Sequence, residues 1–200
     1  MSKDRFEPYS TRRKIDPGRG RRLADNTPND ADRVEIGPTR LAYDEWAAAG
    51  LAVERASDTP KPVKFAFNPV AETVATYSSV LDALDDPDCV IVDNRSREEF
   101  VGTDKRARHG GAIPGAKHRD WEDLYDHDSG CMKSADQLRE AFETLDATPD
   151  KEITLYCNTG YRSAHAYLAL RLLDYPRIRN YVGSWQEWGN RDGLPIWYPE

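Results

Sequence analysis

Long apolar runs, paired cysteines and an excess of positive charge are all missing from this chain of 200 residues. No stretch approaches the length needed to span a bilayer, so no membrane segment is expected. Lys and Arg number 28 against 35 Asp and Glu, a formal charge of -7 that argues against a nucleic-acid partner. The same charge would weakly repel a small anion, so any anionic substrate must be drawn in by groups close to the site. Three cysteines, Cys89, Cys131 and Cys157, form no CxxC pair, which excludes a zinc ribbon or a thioredoxin-like dithiol. His127 and Cys131 stand four apart, but Gly130 between them reads as a loop, and no metal or cofactor is expected. An odd thiol count suits a reducing compartment. The opening residues MSKDRFEPYSTRRKIDPGRGRR lack an apolar core for a signal peptide and carry too many acids for a transit peptide. A cytoplasmic protein is therefore expected.

Apolar residues are spread unevenly along the chain. Residues 1–32 hold almost none that are large, and such a tail cannot offset its ordering entropy, so it is expected to be disordered or loosely ordered. Between 33 and 69 the chain predicts one helix, with Leu41, Trp46 and Ala49 near helical spacing and Gly50 as its stop. An extended linker follows, because Pro60, Pro62 and Pro69 forbid a helix. One compact domain is expected over 70–200.

Strands and helices alternate there. CVIVDNR and EITLYC are short apolar runs of the kind buried in a parallel sheet. Helical turns are predicted in SREEFVG and around Val80, Leu81 and Leu84. SADQLREAFETLDA predicts an amphipathic helix capped by Ser134, with Leu138, Ala141, Phe142 and Leu145 inward. RSAHAYLALRLLDY predicts another, with Ala164, Leu168 and Leu172 as its stripe. RNYVGSWQEW predicts a strand, a Gly turn and an aromatic turn. The alternation argues for an α/β fold with a central, mainly parallel five-stranded sheet flanked by helices on both faces.

Ligands bind beyond the carboxyl ends of parallel strands, and two strands deliver polar groups there. One ends in Asp93-Asn94-Arg95, the other in Cys157-Asn158-Thr159-Gly160-Tyr161-Arg162. Cys157 precedes a helix start, whose free N–H groups and dipole favour a thiolate. Gly160 lets the loop curl into an anion-binding nest, and Arg162 adds a fixed positive charge. Cys157 is thus the candidate nucleophile, for sulfur transfer or for phosphate-ester hydrolysis through a phosphocysteine. Cys89 reads as an inert buried thiol and Cys131 as a loop thiol. His165 reads as packed or solvated, and Trp185 and Trp188 as core closure.

TLYCNTGYRSAHAYLALRLLDYPRIRNYVGSWQEWGNRDGLPI resembles the active-site strand, loop, helix and closing segment of the rhodanese family, most of all its prokaryotic thiosulfate sulfurtransferases. VIVDNRSREEF and GGAIPGA resemble two further motifs of that family, in order and at compatible spacing. GPTRLAYDEWAAAGLAVE resembles the last helix of a preceding non-catalytic rhodanese domain. The resemblance implies that 33–69 is a remnant helix and linker of a first domain otherwise missing, and that 70–200 is catalytic. It implies that a small anionic sulfur donor such as thiosulfate loads a persulfide on Cys157, which passes to cyanide, a thiol or a protein thiol. N–H groups of residues 158–162 would hold the persulfide, and Arg162 would bind the sulfonate. Asn158, Thr159 and Tyr161 would shape the mouth, Ser163 would cap the helix, and Asp93 with Arg95 would either pair or touch substrate. Two departures stand out. Glu99 lies where many two-domain members carry a basic residue, leaving Arg162 as the main anion-binding cation, and Ala112 replaces a frequent His. The competing reading is a phosphatase or arsenate reductase, whose loops place Arg six residues after Cys, where this chain has Ser163. A sulfur carrier with little free turnover is the third.

Overall fold

The computed structural model describes residues 43–48, 50, 51, 53, 64, 70–128 and 131–200. The expected tail over 1–32, most of the proline linker, and Leu41 and Ala49 lie outside the described residues. The chain divides into two units between Asn68 and Pro69. In the first, helix α1 spans Tyr43–Ala48 and Gly50 follows at φ +69°, the left-handed stop its sequence predicts.

In the second unit, strands β1 (Val74–Ala75), β2 (Cys89–Asp93), β3 (Lys117–His118), β6 (Glu152–Tyr156) and β7 (Ile178–Tyr181) form one parallel sheet in the order β1-β7-β6-β2-β3. Between β3 and β6, β4 (Tyr125–Asp126) and β5 (Cys131–Met132) make a small antiparallel hairpin. Cys131 is therefore in a strand, not the expected loop, because backbone pairing with Asp126 extends it.

β2 and β6 run side by side with Asp93 opposite Tyr156, so their carboxyl ends finish level. Side chains alternate across a strand, which fixes two faces. Ile91, Tyr156 and Tyr181 share a core cluster with Val80 of α2 (Tyr77–Asp82), Phe100 of α3 (Arg97–Val101), and Trp185 and Trp188 of α6 (Ser184–Trp188). The other face presents Val90, Val92, Ile153 and Leu155, all buried, and helix α5 (Tyr161–Leu172) packs on β6 and β7. Helix α4 (Ala135–Glu143) buries Leu138 and Phe142, and its Ser134 forms a capping box with Gln137 as predicted. The aromatic turn after β7 is the helix α6.

One predicted helical face is reversed. In α5 the buried residues are Ser163, Ala166, Ala169 and Leu170, while Ala164, Leu168 and Leu172 point to solvent. The inner stripe mixes three small side chains with Leu170, so apolarity alone did not choose it. Leu81 is similarly outward, at 39% exposure, whereas Val80 is buried as expected.

Candidate active site

Cys157 stands one residue beyond β6 with 1% of its surface exposed, and the loop after it turns directly into α5. That turn needs Gly160. Its φ is +88°, and a Cβ there would lie 3.1 Å from the Val182 carbonyl oxygen. The backbone N–H of Gly160 consequently points at Cys157 Sγ, 3.2 Å away. Ser163 Oγ is 3.6 Å from the same sulfur and within reach of Gly160 O at 3.1 Å and Asn180 Oδ1 at 2.7 Å. Burial pushes the Cys157 thiol up, but hydrogen bonds from the Ser163 N–H and hydroxyl and from the Thr159 and Gly160 N–H groups outweigh it. The net effect holds the thiol below its ordinary value.

These contacts correct one expectation. Ser163 is not the cap of α5; Gly160 occupies that position, and Ser163, in the first turn, aims its hydroxyl back at the sulfur. The N–H donors to Cys157 Sγ include those of Thr159, Gly160 and Ser163. Asn158 is half-buried, Thr159 is exposed and Tyr161 is 83% exposed, so the last two face the opening.

The loop is anchored from behind by residues the sequence reading missed. Ser184 Oγ accepts the Cys157 N–H at 3.2 Å and donates to Tyr181 O at 2.7 Å. Trp185 and Gln186 donate their N–H groups to the carbonyls of Cys157 and Asn158, both at 2.9 Å. Asn180 Nδ2 donates to Gly160 O at 3.2 Å. The signal was present: β7 is also a parallel strand, and its polar end at Asn180 and Ser184 sits beside that of β6.

Arg162 departs furthest from expectation. Its two terminal nitrogens donate to the two oxygens of Glu99 at 2.6 and 2.9 Å, a two-pronged ion pair. The Arg162 side chain is 26% exposed and that of Glu99 only 4%. Arg162 is thus a cation already engaged by a carboxylate, because α3 brings Glu99 against the first turn of α5. Burial raises the Glu99 carboxyl, and Arg162 more than reverses this, leaving it below its usual range.

Asp93 and Arg95 make an internal pair, not a substrate contact. Both are fully buried. Arg95 Nε lies 2.9 and 3.0 Å from the two Asp93 oxygens, its Nη2 donates to Gly111 O at 2.7 Å, and its guanidinium stacks 4.4 Å from the Trp185 ring. The Tyr156 hydroxyl donates to Asp93 and accepts the Ile113 N–H. The pair ties β2 and β6 to the GGAIPGA turn.

The remaining candidates are structural. His165 packs edge-on to Trp121 and Tyr125, and burial lowers its pKa. Trp185 and Trp188 are fully buried. Cys89 is half-buried beside Thr154, and burial raises its pKa. Among the described residues no group of His, Cys, Asp and Glu is placed to hold a metal ion, and no helix is long and apolar enough to cross a membrane.

Comparison with known proteins assigns this architecture. Residues 76–191 match the model of the rhodanese-like domain. A thiosulfate sulfurtransferase of Azotobacter vinelandii is 35% identical over 151 residues, covering 76% of this chain and 55% of that protein. The sulfur carrier protein TtuD of Thermus thermophilus is 43% identical over 115 residues, covering 53% of this chain and 40% of its own. Among solved structures, the anaerobic ergothioneine biosynthesis enzyme from Chlorobium limicola, in complex with trimethyl histidine, superposes with a TM-score of 0.69 at 25% identity. That match covers 77% of this chain and 39% of the other. The chain spans about half the length of the curated relatives it matches.

Proposed function

The chain belongs to the rhodanese-like family, and from that premise we propose that Cys157 moves sulfane sulfur as a persulfide. Its thiolate attacks the outer sulfur of a donor such as thiosulfate. The new Sγ–S bond forms as the donor's S–S bond breaks, and sulfite leaves with the electron pair. Cyanide or a thiol then attacks the terminal sulfur and restores the thiolate. The observation that carries this reading is the set of donors converging on Cys157 Sγ at the start of α5, which favours negative charge on sulfur before and after loading. Residues 70–200 form the catalytic domain in this proposal. Three cysteines, an odd number, suit a reducing compartment, the cytoplasm.

The arrangement argues against phosphate chemistry. Phosphatase loops place Arg six residues after the Cys, where this chain has Ser163, and Arg162 comes one residue early. The pairing of Arg162 with Glu99, which partly neutralises the cation, favours a second reading, in which the loaded sulfur comes from a persulfide and goes to a thiol, as the likeness to a sulfur carrier also suggests. Thiocyanate formation from thiosulfate and cyanide, run beside p-nitrophenyl phosphate hydrolysis, tests the proposal. Thiocyanate production that vanishes in Cys157→Ser supports it; phosphate-ester turnover dependent on Cys157, with no thiocyanate, would overturn it.

A further inference from the structure

We infer that Asn180 is a positioning residue for Cys157 that acts through Ser163, competing with the sulfur for the single proton of the Ser163 hydroxyl. The inference rests on the reading of Cys157 as the persulfide-forming nucleophile and concerns what readies its thiolate.

Asn180 lies in β7 on the face it shares with Ile178, which α5 covers, while Tyr181 turns to the opposite face. A polar side chain there has to find partners, and both of its amide atoms do. Nδ2 donates to Gly160 O at 3.2 Å, and Oδ1 lies 2.7 Å from Ser163 Oγ. A carbonyl oxygen only accepts, so the amide nitrogen must face Gly160 and the amide oxygen must face Ser163. That oxygen has no proton to give, hence the hydroxyl donates to Asn180. The same hydroxyl is within reach of Gly160 O at 3.1 Å and of Cys157 Sγ at 3.6 Å. Three acceptors thus face one proton, and the shortest contact belongs to Asn180.

A neutral thiol is a weak acceptor and leaves the proton with Asn180. A thiolate is a charged acceptor that draws stronger hydrogen bonds, so ionisation of Cys157 turns the hydroxyl toward the sulfur. In the transfer step the thiolate attacks the donor's outer sulfur. The Sγ–S bond forms as the donor's S–S bond breaks, the leaving group takes that electron pair, and Sγ loses its charge. Ser163 then returns to Asn180 instead of being left without an acceptor, so its bond to the thiolate does not hold back attack by its full strength. The charged groups around the sulfur are arranged apart from this exchange. Arg162 of α5 interacts with Cys157 and binds Glu99 of α3, and Asp93 and Arg95 at the end of β2 are sealed against each other. From β7 and α6 the loop meets uncharged Asn180 and Ser184.

The pH dependence of Cys157 alkylation by iodoacetamide, read on the Cys157 peptide by mass, follows thiolate formation without any sulfur donor. Asn180→Leu removes the competitor and should shift the profile to lower pH, with alkylation on its acid side about threefold faster than in the wild-type protein. Asn180→Ala should act in the same direction, so either variant serves if the other does not fold. Asn180→Asp, a stronger and charged acceptor, should shift the profile to higher pH and slow alkylation near neutrality at least about tenfold. In a Ser163→Ala background, adding Asn180→Leu should leave the profile where it is, because no proton remains to contest. An unmoved or alkaline-shifted profile in folded Asn180→Leu or Asn180→Ala overturns the inference. So does an acid shift of the same size without Ser163, which would show that residue 180 acts on the sulfur by another route. Sulfur gain from thiosulfate, weighed in parallel on the wild-type protein, separates the two readings: its absence overturns the transfer reading, while the alkylation profiles alone decide the competition.

Discussion

Two arginine–carboxylate pairs lie near the carboxyl ends of the central strands, and water reaches only one of them. Asp93 and Arg95, at the end of β2, are fully buried; Tyr156, Gly111 and the face of Trp185 also hold them, and one terminal nitrogen of Arg95 has no hydrogen-bond partner. Arg162 and Glu99, beside the end of β6, have equally good geometry, but the arginine keeps 26% of its side chain exposed. The inner pair has no alternative partner to exchange with and acts as a joint between strands and turn. The outer pair borders the nucleophile and can respond to what enters. Pairs of the same chemical kind thus differ in burial and in how many further partners hold them.

The largest effect should come from breaking the inner pair. Asp93→Ala leaves a buried guanidinium and the Tyr156 hydroxyl without their acceptor, and urea unfolding should register a loss of about 3–5 kcal/mol. Glu99→Ala, at the outer pair, should lose less than about 2 kcal/mol. Equal losses would abolish the distinction. Next comes Gly160→Ala, which forces a left-handed backbone on a residue with a Cβ and presses on the Val182 carbonyl. It should lower stability by about 1–3 kcal/mol in thermal unfolding and slow Cys157 alkylation as the N–H of residue 160 turns off the sulfur.

Smallest in energy, and most specific to the outer site, is Ser163→Ala. Removing one of the donors that hold the Cys157 thiol below its ordinary value moves that value up. Wild-type persulfide formation should reach its plateau at a pH below that of an unperturbed thiol and decline only on further acidification. The variant's profile should shift alkaline, with a rate near neutrality about three- to tenfold lower that recovers as pH rises. A uniform loss at all pH values would show that Ser163 merely supports the loop.

The sheet, its two central strands and the loop around Cys157 were legible because each rests on local signals: apolar runs of strand length and a glycine where the loop reverses. What escaped were relations between distant segments. Glu99 was visible as an acid in an unusual position, but α3 had to pack near α5 before it became the partner of Arg162. Ser163 sat where a cap is common, and only the left-handed turn at Gly160 moved the cap forward and freed the hydroxyl for the sulfur. Asn180 lies in β7 and Ser184 follows it, and the place of that strand beside β6 is a matter of topology, not periodicity. The stripe on α5 was misjudged because apolar residues lie all round it, Leu168 and Leu172 on one side and Ala166, Ala169 and Leu170 on the other, and only packing on the sheet decides between them.

Weighing the intact protein after incubation with a sulfane donor, and again after cyanide is added, tests the central claim about Cys157 most directly. The expected result is the gain of one sulfur atom, its loss on adding cyanide, and no gain at all in Cys157→Ser despite unchanged folding. A sulfur adduct that survives in Cys157→Ser, or its absence from the wild-type protein with every donor, would contradict the account.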